Sequence, residues 1–378
     1  MMKQNQLKIA NFKAFVEASL TFKQLTVLAG ANANGKSSAL QALLLLRRSW
    51  ELHERHNGSR TEVPLNDLYG NHLGTDSAVW NKRATGPLIE LTVGQDETVE
   101  WGVTFEGESE HPRLALKPTL TIAQSPQADG LSKALQQSSF YYLTAERVGP
   151  RVRNQLLVTE YPHAGWTGET TAQVLDMDGG FYKIAENRKF PGSNILNIID
   201  QANDWLNFIF PGTRVKVSQH RETLSTQILL ENEMTRNEPS LATNLGFGLS
   251  YVLPIIANGL IAAPNTLFIV ENPEAHLHPS AQYRIGQFLS MVAATGTMVV
   301  VETHSDHLLN GIQLAVAGQS IGTDQVVVNF FDIDKERRQP KVTTIYMDQK
   351  GQLSSWPKGF FDQTQIAFAE LHKKRNNL

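Results

Sequence analysis

Leu7-Lys8-Ile9-Ala10-Asn11-Phe12 alternates apolar and polar positions with period two, which predicts a strand. Leu20-Thr21-Phe22 and the unbroken run Leu25-Thr26-Val27-Leu28-Ala29 continue as strands. Helical spacing follows from Ser37 to about Trp50. The polar stretch Glu51 to Arg60 then reads as a loop or a fraying end. From Pro87 the pattern changes to Leu88–Val93, Val99–Phe105 and Leu114–Ile122, separated by Gly, Asp, Glu and Pro clusters, which predicts an antiparallel meander. Phe140 to Thr144 is one more strand. In the middle, apolar spacing predicts a helix between Ser193 and Pro211, and Val215–Val217 and Thr226–Leu230 predict strands. The final third reads helix, strand, helix, strand, helix, strand, a doubly wound α/β pattern. There is no internal repeat, low-complexity tract or sustained heptad.

The loop between the run ending at Ala29 and the helix from Ser37 is Gly30-Ala31-Asn32-Ala33-Asn34-Gly35-Lys36-Ser37. Strand, glycine loop, Lys-Ser and helix, in that order, describe a phosphate cradle. Its backbone N–H groups wrap a β-phosphate, and the helix N-terminus adds partial positive charge. Lys36 reaches the β- and γ-phosphates, and the Ser37 hydroxyl takes Mg²⁺.

Composition narrows the partners. At 378 residues, 41% hydrophobic and 19% charged, the chain can bury one large core or two modest ones. A net charge of −3 leaves no global footprint for nucleic acid or membrane. With no cysteine, disulfides and thiolate metal sites are excluded, which fits the cytoplasm. The opening Met1-Met2-Lys3-Gln4-Asn5-Gln6 runs into a strand without an apolar stretch of signal-peptide type. No charge falls between Glu238 and Glu271, but glycine, proline and asparagine at 246, 248, 254, 258, 259, 264 and 265 break that span. It reads as helix, turn and buried strand rather than a membrane helix.

Three further blocks carry chemistry. Leu267-Phe268-Ile269-Val270-Glu271 is a buried strand with an acid at its tip, where P-loop proteins hold Mg²⁺. Met298-Val299-Val300-Val301-Glu302-Thr303-His304-Ser305 is another, and parallel neighbours deliver their C-terminal tips to one crevice, bringing His304 beside Glu271 and Lys36. Asn244-Leu245-Gly246-Phe247-Gly248-Leu249-Ser250 opens an apolar helix whose N-terminus suits an anion. His276 and His278 lack a third nearby ligand, which makes a poor zinc site and favours a structural or dimer-contact role. Arg147, Arg151 and Arg153 read either as a phosphate or nucleic-acid contact or as a solvated turn.

Taken in order, these blocks resemble the ATP-binding-cassette head of the RecF, SMC and OLD (overcoming lysogenisation defect) group of ATPases. Asn11-Phe12-Lys13-Ala14-Phe15 is similar to the opening of such heads, and Glu274-Ala275-His276-Leu277-His278-Pro279 to a run of OLD-like proteins. Trp356-Pro357-Lys358-Gly359-Phe360-Phe361-Asp362-Gln363 resembles a short tail on bacterial AAA-family ATPases, several of them in phage-defence operons. The resemblance implies an α/β P-loop NTPase fold with a mixed central sheet, an antiparallel β subdomain and a partly helical insertion. It implies one head spanning 1–378: a P-loop lobe at 1–50, the β subdomain at 85–125, an insertion at 154–240, a lobe at 241–335 carrying the signature, acid strand and histidine switch, and a tail at 340–378.

It also implies ATP and Mg²⁺ held between two subunits. Asn32, Asn34, Gly35, Lys36, Ser37 and Ser38 bind the nucleotide on one side. Asn244, Gly246 and Gly248 face the γ-phosphate from the partner. Ser37 and Glu271 hold the metal, and His304 is the switch. Glu146 stands where a glutamine is usual. The usual Asp-Glu pair is here Glu271-Asn272, and an amide cannot act as a base. Either Glu274, the preferred residue, or Glu302 supplies the carboxylate, or hydrolysis is slow and ATP serves as a clamp. The expected function is a dimerising or higher-oligomeric ATPase, the sensor or motor of an anti-phage or DNA-repair complex with a separate nuclease or effector and DNA as a further partner. The alternative is an ATP-gated scaffold that restrains an effector.

Overall fold

The computed structural model describes residues 4–56, 62–96, 98–107, 111–122, 129–233, 236, 238–244, 246–361 and 363–376. Met1–Lys3, Asn57–Arg60, Leu245 and Asp362, which carry parts of the expectations above, lie outside the described residues.

The chain opens with strands β1 (Asn5–Phe12), β2 (Phe15–Phe22) and β3 (Leu25–Gly30), then helix α1 (Lys36–Arg55). The expected loop after Trp50 is helical as far as Arg55. Arg47 pairs with Glu51 one turn on, at 2.9 Å, and Leu52 is buried, so the helix keeps a reason to continue. Next come β4 (Leu88–Gln95), β5 (Thr98–Glu106), β6 (Pro118–Ile122), helix α2 (Gly130–Gln136) and β7 (Phe140–Leu143). The middle contributes α3 (Ile198–Ile209), β8 (Arg214–His220) and β9 (Ser225–Glu231). The last third is α4 (Phe247–Ile261), β10 (Leu267–Glu271), α5 (Pro279–Ala294), β11 (Met298–Thr303), α6 (Asp306–Ala317), β12 (Val326–Asp334), β13 (Gln339–Ile345) and α7 (Gln363–Asn376).

Two sheets dominate. The central one has the order β7-β10-β11-β3-β12-β13 and is parallel except for β13. The other, β6-β5-β4-β1-β2, is antiparallel. The meander is therefore continued by the first two strands of the chain.

The central strands are apolar at nearly every position because both their faces are covered. Val299, Val301, Phe268, Val270, Val27 and Ala29 enter one core, shared with α4, α5 and α6. Met298, Val300, Leu267, Ile269 and Leu28 enter a second, shared with α1 and the antiparallel sheet. The middle segment joins the first core through Val174, Leu175, Ile198, Trp205 and Leu206, with the Trp205 and Phe288 rings 4.9 Å apart. No helix among the described residues is long and apolar enough to cross a membrane.

Candidate functional site

The P-loop strand β3 lies between β11 and β12, so the loop after Gly30 rises from the middle of the sheet. Gly30 has φ 141°, and a Cβ there would collide with the Phe331 carbonyl of the neighbouring strand. Only glycine fits that approach. Asn34 is buried and its amide donates to the same carbonyl at 3.1 Å, so this side chain shapes the loop. Asn32 and Ser37 are exposed, and Gly35 caps the N-terminus of α1. Lys36 is 3% exposed, and its Nζ donates to the Gly30 and Ala31 carbonyls at 3.0 and 2.9 Å. Burial lowers its pKa, and Glu302 and Glu274 oppose that shift.

The order of the strands sets which acid meets the loop directly. Glu271 and Glu302 are register partners on β10 and β11. Because β11 is the strand next to the P-loop, its acid arrives first. Ser37 Oγ donates to Glu302 Oε1 at 3.2 Å, and Lys36 Nζ lies 4.0 Å from the same oxygen. Among the described residues Ser37 and Glu271 share no direct hydrogen bond. Glu271 instead accepts from the Tyr142 hydroxyl at 2.7 Å and from the Ala145 N–H at 3.3 Å. It borders a cavity of about 550 Å³ that Thr144, Glu146, Arg147 and Arg151 also line. Burial, then the Glu271 charge, push the Glu302 carboxyl up to about 7. Burial also raises Glu271 and Glu274.

Glu274 bridges to the switch. Its two oxygens accept from the His304 N–H at 2.7 Å and the Thr303 hydroxyl at 2.9 Å. His304 is solvent-accessible and its ring meets the Gly30 carbonyl. Burial and the nearby Lys36 lower its pKa, and that carbonyl works the other way. Asn272 sits in the left-handed region (φ 42°), and its N–H donates to the Glu302 carbonyl at 2.9 Å. Its side-chain Oδ1 is buried without a partner.

Arg147 is not on a solvated turn. It is buried beneath the acid strand tip, where its guanidinium donates to the carbonyls of Glu271 and Asn272 and lies 5.6 Å from the Tyr251 ring. Burial lowers its pKa to about 10. Arg151 and Arg153 are exposed.

Asn244 and Gly246 are exposed at the start of α4, and none of the described residues there bonds to the P-loop of the same chain. Gly248 is buried, and a Cβ on it would lie 2.7 Å from the His276 carbonyl oxygen, which fixes α4 against that turn. The ring of Phe247, 56% exposed, meets His276 at 5.6 Å. His278 caps α5 by accepting from the Ser280 N–H. Among the described residues no group of three or more His, Cys, Asp or Glu could hold a metal by itself. Ser37 Oγ and Glu302 Oε1, 3.2 Å apart, could offer two oxygens to a Mg²⁺ ion, which takes few protein ligands and keeps several waters.

A cavity of about 440 Å³ opens beside Ser38 on the flank of α1. Lys13, Trp80, Lys82, Arg83 and Arg338 line it, with no acid among its described lining residues. It is not legible in local pattern, because Trp80 and Arg338 are far from the loop along the chain.

Comparisons with known proteins bear on the family and the fold. A family profile described as "AAA domain, putative AbiEii toxin, Type IV TA system" matches residues 25–310. A second, described as a protein of unknown function (DUF3696), matches residues 321–371. No curated protein matches the chain. An SmcHead structure bound to the C-winged helix domain of ScpA superimposes with a TM-score of 0.51 at 11% identity, covering 92% of this chain and 98% of its own. A Pyrococcus furiosus Smc head with an extended coiled coil, bound to the C-terminal domain of ScpA, gives 0.49 at 11% identity over 99% and 100%. The SMC head domain from Thermotoga maritima gives 0.44 at 11% identity over 90% and 98%. The fold is thus the ABC-type P-loop NTPase fold of such heads.

Proposed function

The chain belongs to this AAA-domain family, and from that premise we propose that it binds ATP with Mg²⁺ and hydrolyses it while two copies close around the nucleotide. The observation that carries this reading is the convergence of Lys36, Ser37 and Glu302 on one another at the mouth of the P-loop. Lys36 exchanges the Gly30 and Ala31 carbonyls for phosphate oxygens, whose charge is the stronger acceptor. Ser37 and Glu302 hold the metal, and Glu271 backs them from the next strand. Glu274 fixes His304 through the N–H and hydroxyl of the switch strand, which positions the ring toward a γ-phosphate. The basic cavity with Trp80 suits the base and ribose, since an aromatic face and cations match a nucleotide's flat ring and charge. Asn244 and Gly246, exposed just before α4, and Gly248, buried in its first turn, serve the partner's nucleotide.

The wider role we propose is that of a sensor or motor in a defence or repair complex acting with a separate effector. The family's description, with its reference to a toxin of a Type IV TA system, supports it. Steady-state phosphate release by wild type, Lys36→Ala and Glu302→Gln, with light scattering in ATP and in ADP, tests the site. Turnover no faster than Lys36→Ala would reject hydrolysis, and an unchanged mass in ATP would reject closure.

A second reading, an ATP-gated scaffold, is favoured by Asn272. Its amide cannot take a proton, and Glu274 has both oxygens engaged. Tight ATP binding and dimerisation with turnover at the Lys36→Ala level would select it.

A further inference from the structure

The chain after β13 folds back toward the P-loop. Gly351 accepts from the Gln313 side chain at 2.7 Å, and the Ser354 N–H reaches the Tyr346 carbonyl, tying this return to α6 and to β13. A tight turn closed by the Phe360 N–H on the Pro357 carbonyl then presents Phe360 and Phe361. Phe360 is 1% exposed, with its ring edge-on to Phe330 at 5.1 Å, Trp356 at 5.1 Å and Phe361 at 4.9 Å. These aromatics do not close on the P-loop completely. A cavity of about 260 Å³ remains, lined by Phe330, Gly359, Phe360 and Phe361 on one side and by Gly30, Ala31 and His304 on the other.

The far wall of that cavity is the part of the site that nucleotide must disturb. Gly30 and Ala31 present the carbonyls that Lys36 holds, and His304 meets Gly30 as well. Phosphate draws Lys36 off both carbonyls and engages His304, so two donors leave or turn at a wall that the aromatic strap touches. A packed aromatic contact does not deform continuously; it shifts between arrangements.

We propose that the strap Trp356–Phe361 reads the state of the P-loop in cis, so that nucleotide binding repositions it and, beyond it, helix α7. That helix is exposed at its described side chains, including Phe368 and Leu371, and ends in Lys373, Lys374 and Arg375. The strap therefore links the nucleotide to a helix whose described side chains are exposed. The inference rests on the nucleotide reading above, and coupling of this kind must be reciprocal: whatever nucleotide does to the strap, the strap does to nucleotide affinity.

The test uses the full-length chain. Calorimetry with ATP and Mg²⁺ first measures binding to wild type. Hydrogen exchange is then followed with no nucleotide, with ADP and with ATP. The expected result is a several-fold change in exchange across 346–361 on ATP binding. Phe361→Ala, which removes a partly buried ring at the cavity, should alter ATP affinity about 5-fold or more. If that variant does not fold, the wild-type exchange decides alone. ATP binding that leaves 346–361 unchanged overturns the strap while sparing the nucleotide site. Absence of ATP binding overturns the nucleotide reading itself, and the strap with it.

Discussion

Glu271 and Glu302 face each other in register at the tips of adjacent parallel strands, yet only Glu302 touches the P-loop, through Ser37 at 3.2 Å. The strand order makes the difference. β11 separates β10 from β3, so the acid on β10 is one strand too far and turns instead to Tyr142 and Ala145.

From this follows an asymmetry between two conservative variants. Glu302→Gln should weaken Mg²⁺-dependent ATP binding by roughly 10-fold or more, as loss of a charged partner at a metal does. Glu271→Gln should weaken it by less. Titration of Mg²⁺ against a fluorescent ATP analogue measures both. Equal losses, or a larger loss for Glu271→Gln, would move the metal to β10.

The raised Glu302 carboxyl should make stability depend on pH. Its folded pKa of about 7 exceeds the ordinary unfolded value near ~4.3, so between these the folded chain holds a proton that the unfolded chain releases. Stability from this group is complete below pH ~4 and is lost as pH rises through 7. The loss is about 4 kcal/mol at most. Glu271 and Glu274 shift in the same direction. Glu302→Gln should therefore flatten, without abolishing, the fall in denaturation midpoint between pH 5 and 8. A slope equal to wild type would contradict the buried, proton-holding carboxyl.

Arg147 should behave as a structural clamp. Replacing it with Met leaves the Glu271 and Asn272 carbonyls without their donor, at a cost of about 2–4 kcal/mol in chemical denaturation. Arg147→Lys should recover little, since an ammonium cannot fork to two carbonyls in the same geometry. Wild-type stability in either variant would place the guanidinium in solvent.

Trp80→Ala should raise the Kd for ATP by roughly 10-fold, because stacking an aromatic on a base contributes about 1–3 kcal/mol. Inorganic triphosphate, which has no base, should bind wild type and variant alike. A matching loss for triphosphate would mean that the cavity recognises charge alone.

Much of the fold could be read from local pattern. The run Leu25–Ala29, the glycine loop and the α1 spacing are all contiguous, so period and turn chemistry suffice to identify the phosphate cradle. The same holds for the strand–helix alternation after Phe247, since strands covered on both faces show as unbroken apolar runs. The middle segment was harder to read, because its helix and strands are short and their apolar residues find partners on α4 and α5, distant in the chain.

What local pattern could not decide was lateral order. Residues Leu267–Glu271 and Met298–Thr303 look alike as sequences, each an apolar run with an acid near its end. Which of them lies beside the P-loop depends on hydrogen bonding between strands, a non-local choice made by packing of the helices that cross over the sheet. Sequence alone thus determined that a phosphate loop, acid-tipped strands and a histidine would share one crevice. Only the tertiary structure chose Glu302 over Glu271 as the acid at Ser37, buried Arg147 under the strand tip, and brought Phe360 and Phe361 back to the P-loop across more than three hundred residues of chain.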